Sequence, residues 1–192
     1  MKPITLVVSF FVATVLQIAN AEQPADGQQQ AKTKLEQFQA KTGSVIIMGI
    51  GPVGNIQAEA GAGVEIEVRE FTDAASGAKQ SGVVIKVSEA GDRMRGVSSY
   101  VDFDEVESLI KGVDYISGLN KGVTKLPAFQ ADYRTRGDVD ISTFTTKGNE
   151  MSAAIKVGSF SSATAFITLA ELSQFRKLLQ SSLTALQAIK GQ

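Results

Sequence analysis

The chain has 192 residues, 19 basic and 20 acidic side chains, and no histidine, cysteine or tryptophan. Without His and Cys, the usual zinc, copper and haem ligand sets cannot be assembled, and a Ser-His-Asp triad, a cysteine protease and a histidine general base are excluded. Carboxylate chemistry, Ser-Lys or Tyr chemistry and oxygen-ligated calcium stay open.

Residues 1–21 read as a cleavable secretory signal peptide. Lys2 and the amino terminus supply a positive start, residues 4–18 an apolar run, and Ala19-Asn20-Ala21 a small-x-small cleavage site. The run is short for a bilayer span of about 20 residues, and Glu22-Gln23-Pro24-Ala25-Asp26 comes next in place of a basic stop-transfer cluster. No Cys is present to take a lipid of the bacterial lipoprotein type. Cleavage would remove Lys2 and leave 171 residues with 18 basic and 20 acidic side chains. That length suits one domain held by its apolar core, here residues 31–192 after a flexible leader at 22–30. Its balanced charge gives no electrostatic reason to seek nucleic acid or acidic lipid. The expected location is periplasmic or extracellular, with no membrane span after cleavage.

Residues 30–41 suggest a short helix with Leu35 and Phe38 on one face and Gly43 beyond its end. From Ser44 the pattern turns to short β-type runs punctuated by glycine. Residues 44–48 read as a buried strand, and 64–69 alternate apolar and charged side chains at period two. Runs at 83–87 and 94–101 continue the series, with turns expected at 51–54, 61–63, 73–77 and 90–92. Such short connections imply antiparallel pairing.

A helix is then expected from Asp102, with Glu105 completing a capping box and Val101 and Val106 forming a hydrophobic staple. Phe103, Val106, Ile110, Val113 and Ile116 make its apolar stripe; Gly112 costs it about 1 kcal/mol relative to Ala. Asn120 and Gly122 are expected to end it. Strands resume at 129–135, 139–145, 151–157 and 164–167, and a second helix runs from Leu169 to about Lys190. Thr168 and Glu171 give it a full capping box, stapled by Ile167 and Leu172.

Three landmarks recur in order, which suggests an internal duplication with pseudo-repeats at about 44–122 and 127–191. Val64-Glu65-Ile66 matches Val139-Asp140-Ile141, Ile85-Lys86-Val87 matches Ile155-Lys156-Val157, and the stretch from Tyr100 to Val106 matches that from Phe166 to Leu172. The strand at 44–48 is expected to be extra to the first half. A β-meander followed by a helix, twice, resembles in outline the tandem repeats of the PUR and Whirly single-stranded nucleic-acid-binding families. Those proteins use basic, aromatic-bearing sheets, whereas exposed strand positions here mix Glu65, Glu67, Arg69, Lys86, Asp132, Arg134, Asp140 and Lys156.

Four motifs need weighing. Gly49-Ile50-Gly51-Pro52-Val53-Gly54 fits the GxGxxG dinucleotide pattern, but the mechanism requires a helix next, and the residues after it read as strand and turn. A glycine-rich hairpin accounts for it. Arg136-Gly137-Asp138 spells the integrin-binding tripeptide and equally suits a hairpin tip. Asp102, Asp104, Glu105 and Glu107 could hold calcium or serve a glycosidase, yet capping and the helix macrodipole explain acids at a helix start. On the last helix, Leu178 and Leu183 widen the apolar stripe of Leu172, Phe175, Leu179, Leu186 and Ile189, either for packing on a sheet or for a partner such as a second copy.

The sequence thus predicts an α+β domain with antiparallel sheet built from two tandem meander-plus-helix repeats and a short amino-terminal helix. It marks no catalytic, cofactor-binding or metal-ligating residue. The expected function is an exported, non-enzymatic interaction domain for an unknown protein or small molecule. A carrier of an apolar ligand between sheet and helices and a carboxylate-only hydrolase remain alternatives.

Overall fold

The computed structural model describes residues 31–89 and 96–191. The expected signal peptide and leader, the turn at 90–92 and the first residues of the strand at 94–101 lie outside the described residues. From Ala31 onward the chain forms one compact unit. Its elements in order are α1 (Lys34–Gln39), β1 (Ile46–Gln57), β2 (Gly63–Asp73), β3 (Lys79–Ser88), β4 (Gly96–Asp102), α2 (Phe103–Ser117), β5 (Gln130–Arg134), β6 (Val139–Thr145), β7 (Met151–Val157), β8 (Ala163–Ile167) and α3 (Leu169–Lys190). Strands β1-β2-β3-β4 form one antiparallel meander and β5-β6-β7-β8 a second. This is the α+β arrangement of two meander-plus-helix units.

The recurring triplets occupy equivalent register positions. Val64, Glu65 and Ile66 face Val87, Lys86 and Ile85, while Val139, Asp140 and Ile141 face Val157, Lys156 and Ile155. Period-two alternation sends the outer members of each triplet into the core and its acid to the surface. At the next pairing Val83 faces Val101 and Ala153 faces Ile167, so both units deliver the same strand end to the start of a helix. The first unit has no extra strand: β5 is the counterpart of β1, because each pairs with the acid-bearing strand of its own sheet.

Several expectations fail at β1. The strand does not stop at Met48, and residues 49–54 are not a hairpin. β1 runs through them for 12 residues, paired with β2 throughout, with a register shift between Pro52 and Gly54. The glycines let the strand pass close to its neighbours: a Cβ on Gly51 would lie 2.8 Å from Val68, and one on Gly54 would lie 2.7 Å from Leu178 of α3. Nor is the strand's beginning buried: Ile47, Met48 and Ile50 are exposed, and β1 is an edge of its sheet.

The helices cross over. α3 packs on β1 and β2 of the first sheet, α2 reaches β5 and β6 of the second, and the two helices pack on each other. Arg176 of α3 closes that contact with two bonds to the Asp114 carboxylate, at 2.9 and 3.0 Å. One contiguous core results, drawing Ile66 and Ile85 from one sheet, Ile141 and Ile155 from the other, and Leu109 and Phe175 from the helices. Each such side chain, fully withdrawn from water, contributes about 1.5–3 kcal/mol before entropy is counted. Gly112 of α2 is explained here, because a Cβ at that position would overlap the Tyr133 ring of β5.

The two helix starts differ. Thr168 caps α3 as expected: its hydroxyl accepts the Glu171 N–H at 3.2 Å, and the Glu171 carboxylate accepts the Thr168 N–H at 2.7 Å. Asp102 occupies the cap position of α2 but makes no such bond. Its carboxylate instead accepts the backbone N–H groups of Lys34 and Leu35, at 2.9 and 3.1 Å, at the start of α1. Glu105 turns to the backbone N–H of Arg136 at 2.9 Å. α2 ends at Gly118, short of Asn120 and Gly122.

α1 is shorter than residues 30–41 and carries its own capping box, from Thr33 and Glu36. Its Leu35 and Phe38 join Phe71 in a separate small cluster, with Ile46 and Tyr100 at its margin. Phe71 shares a sheet face with Glu67 and Arg69 by strand alternation, so α1 covers part of the face that the other helices leave open.

Candidate functional site

Each motif with a possible chemistry has a place in this fold. The GxGxxG residues are strand, and β1 leads only into a three-residue turn of 3-10 helix, Glu59–Gly61, so no helix amino terminus is present to receive a pyrophosphate. The Arg136-Gly137-Asp138 turn is tied into the molecule on all three residues. Arg136 bonds Asp104 at 3.0 Å and Glu105 at 3.3 Å, Asp138 bonds Lys32 at 2.6 Å, and a Cβ on Gly137 would overlap the Tyr100 carbonyl. An adhesion loop must be free to enter its receptor, and this one is not.

The acid cluster is neutralised from both sides. Lys34 donates to Asp104 at 2.8 Å, and that bond, with help from Arg136, holds the Asp104 carboxyl below the usual aspartate range. Arg136 in turn is pushed above the usual arginine range, chiefly by Asp104. Asp102, 2 % exposed, lies 3.7 Å from the same guanidinium. Among the described residues no group of three or more acids is placed to hold a metal ion. Asp73, Glu107 and Asp114 also sit below their usual range, through hydrogen bonds from the Ser76 backbone, Lys111 and Arg176 respectively. A general acid needs the opposite displacement, toward neutrality.

Two shallow depressions lie at equivalent positions of the two sheets. One of about 250 Å³ is lined by Asn55, Glu65, Lys86 and Ser88; the other, of about 160 Å³, by Arg134, Asp138, Asp140 and Lys156. A third, of about 420 Å³, opens between Lys190 at the end of α3 and Glu70 and Lys79. Every acid lining them has a cationic partner: Glu65 has Lys86 at 3.8 Å, Asp138 has Lys32, and Glu70 has Lys79 at 2.9 Å, while Asp140 meets Arg134 through Oδ2 and keeps a buried Oδ1 without a hydrogen-bond partner. Paired charges at an open surface do not make a hydrolytic carboxylate pair.

Leu178 and Leu183 are part-buried against the core, Leu178 directly over Gly54. Apolar surface is left over in several places: Tyr115, Val123, Leu126, Phe160 and Phe166 are each more than half exposed, and a further group lies at the start of β1. Val45, just before the strand, is 69 % exposed, and on β1 Ile47 is 57 %, Met48 38 % and Ile50 57 % exposed. From Ser44 to Ala58 the chain has no ionisable side chain. The equivalent edge strand β5 exposes Gln130, Asp132 and Arg134 instead. Charge on an edge strand discourages pairing with another chain, and β1 lacks it.

The sequence holds a signal for this surface that is open to two readings. A continuous apolar run marks a strand covered on both faces or an uncovered apolar edge, and only the place of β1 in the sheet decides between them. No family model, curated protein or solved structure matches the chain. No helix among the described residues is long and apolar enough to cross a membrane.

Proposed function

We propose that this chain is an exported, non-enzymatic interaction domain that engages a macromolecular partner along the free edge of β1. The observation that carries the reading is the uncharged apolar edge of Ile47, Met48 and Ile50, with Val45 just before it, in a fold whose other edge of equivalent position is charged. An edge strand with apolar side chains on both faces and no charge invites pairing with another chain. The engaged acids and the lowered carboxylates support a non-enzymatic role, and the three-part pattern of residues 1–21 supports export.

A photo-crosslinking amino acid at Ile50, introduced in an exporting cell, tests the reading. The expected result is a discrete adduct whose partner is identified by mass spectrometry, absent when the same group replaces Ser173 on the solvent face of α3. No adduct, or the same products from both positions, overturns it. Export is read in the same material: the intact mass of the released chain is expected to begin at Glu22, and a product retaining residues 1–21 counts against it.

A further inference from the structure

We propose that the partner of β1 is a second copy of this chain, paired antiparallel about a two-fold axis through Met48. This rests on the reading of β1 as the working edge and adds the identity of the occupant.

The register follows from backbone accounting. The Ala74 N–H donates to the Val45 carbonyl at 3.0 Å, so Val45 and Ala74 form a hydrogen-bonded pair of the antiparallel ladder. Hydrogen-bonded and open pairs alternate along such a ladder. Ile47, Gly49 and Gly51 therefore direct their N–H and C=O toward β2, opposite Thr72, Glu70 and Val68. Ile46, Met48 and Ile50 direct theirs outward, to the side with no neighbouring strand. The strand begins at Ile46, and the next outward position after Ile50 is Pro52, which has no N–H to donate. The outward run with both donor and acceptor at every position is thus Ile46, Met48 and Ile50.

A run of three such residues is self-complementary about its centre. Met48 meets Met48 of the other copy, Ile46 meets Ile50, and Ile50 meets Ile46, so all outward donors and acceptors are used. Shifting the register by two residues in one direction leaves the Pro52 position without a donor. Shifting it in the other requires Ser44, which lies in a bend. Side-chain chemistry agrees with the backbone. On one face the pairs are Met48 with Met48 and Ile46 with Ile50. On the other, Ile47 stands beside Gly49 of the second copy, where no Cβ competes for space. No charged residue lies on either strand to oppose its own copy. A strip this narrow falls short of the roughly 800 Å² per partner of a standard interface, so the dimer belongs to the weak, concentration-dependent class.

The central position gives a test specific to this geometry, because residue 48 faces itself. The purified full chain, Met48→Lys, Met48→Glu and an equimolar mixture of the two variants are compared by sedimentation velocity over a concentration series, with circular dichroism confirming native folding. The wild-type chain is expected to dimerise by mass action and each variant to associate about tenfold more weakly or less. The mixture is expected to recover association, since an ammonium from one variant then meets a carboxylate from the other at the two-fold axis. A wild-type chain of single-chain mass at every concentration overturns the proposal, as does a folded Met48→Lys chain that dimerises like the wild type, or a mixture no better than either variant alone. The Ile50 crosslink separates this from the broader reading. An adduct of twice the chain mass supports both. An adduct with a different molecule keeps the interaction domain and removes the dimer, and an adduct within one chain removes both.

Discussion

The two units place a helix on a strand at the same point and fill the space in opposite ways. Gly54 faces Ile66, and Tyr133 faces the equivalent Ile141, so Gly54 and Tyr133 are counterparts in the two sheets. Gly112 lies seven residues beyond Glu105, and Leu178 seven beyond Glu171, which makes them counterparts in the two helices. In the first sheet a small strand residue receives a large helical one, Gly54 under Leu178. In the second a large strand residue meets a small helical one, Tyr133 against Gly112. Volume at the contact is shared out differently while the backbones stay equivalent. The helix therefore tolerates a glycine that disfavours its own formation, because what it gains is room for an aromatic ring.

The strongest way to break this comparison is to give one unit both large residues. Gly112→Leu places the α3 residue in α2 against Tyr133, and overpacking of a filled site is expected to cost about 3 kcal/mol in urea denaturation. Even Gly112→Ala is expected to destabilise, although alanine is favoured over glycine in a helix interior by about 1 kcal/mol. The double variant Gly112→Leu/Tyr133→Gly imitates the other unit and is expected to recover part of the loss, with a coupling of about 1–3 kcal/mol. Strict additivity of the two changes would show that these residues do not share one space.

The helix starts sharpen the comparison further. Asp102→Ala removes a charged acceptor from two backbone N–H groups and is expected to cost about 1.5–3 kcal/mol. It should also open the segment around α1 to proteolysis, because Asp102 accepts two of the backbone N–H groups at the start of that helix. Thr168→Ala removes an ordinary cap and is expected to cost about 1 kcal/mol, with no change in proteolysis near α1. Equal effects of the two would mean that Asp102 does nothing beyond its helical position.

Acidity gives the smallest effect and again separates the units. Asp104 links α1 to the Arg136 turn, whereas its counterpart beside Thr168 is Ala170. Its acidity is strengthened on folding, so its contribution is fully present above the unfolded value of 3.8 and is lost as pH falls through the lower folded value. Asp114, lowered by Arg176, behaves alike. With no histidine in the chain, the melting temperature is expected to be flat from about pH 6 to 8 and to decline below about pH 4. Cleavage near α1 should rise first. Each exposed pair contributes under about 1 kcal/mol, so calorimetry must resolve a shift of a few degrees.

What can be read in the sequence and what cannot divides along chain distance. The strand triplets and the Thr168–Glu171 cap are legible because every partner lies within a few residues or repeats at a fixed period. Asp102 and Glu105 spell the same cap, but their partners are Lys34, Leu35 and Arg136, and no local pattern announces an acceptor spoken for from 67 positions away. β1 misleads for a related reason. Its glycines resemble turn residues until Leu178 and Val68 are seen pressing on them, and its apolar start looks buried until its place at the sheet edge is known.

The crossing of the helices sets a condition on how such a chain can be delivered. α3 comes late in the sequence, yet it covers β1 and β2, which leave the ribosome well before it. Until residues near Leu178 and Leu186 arrive, Val64, Ile66 and Val68 have no lid. The first meander must wait, partly clothed, while α2 and the whole second meander are made. A product truncated before α3 would keep that apolar face exposed and so carry its own mark for degradation.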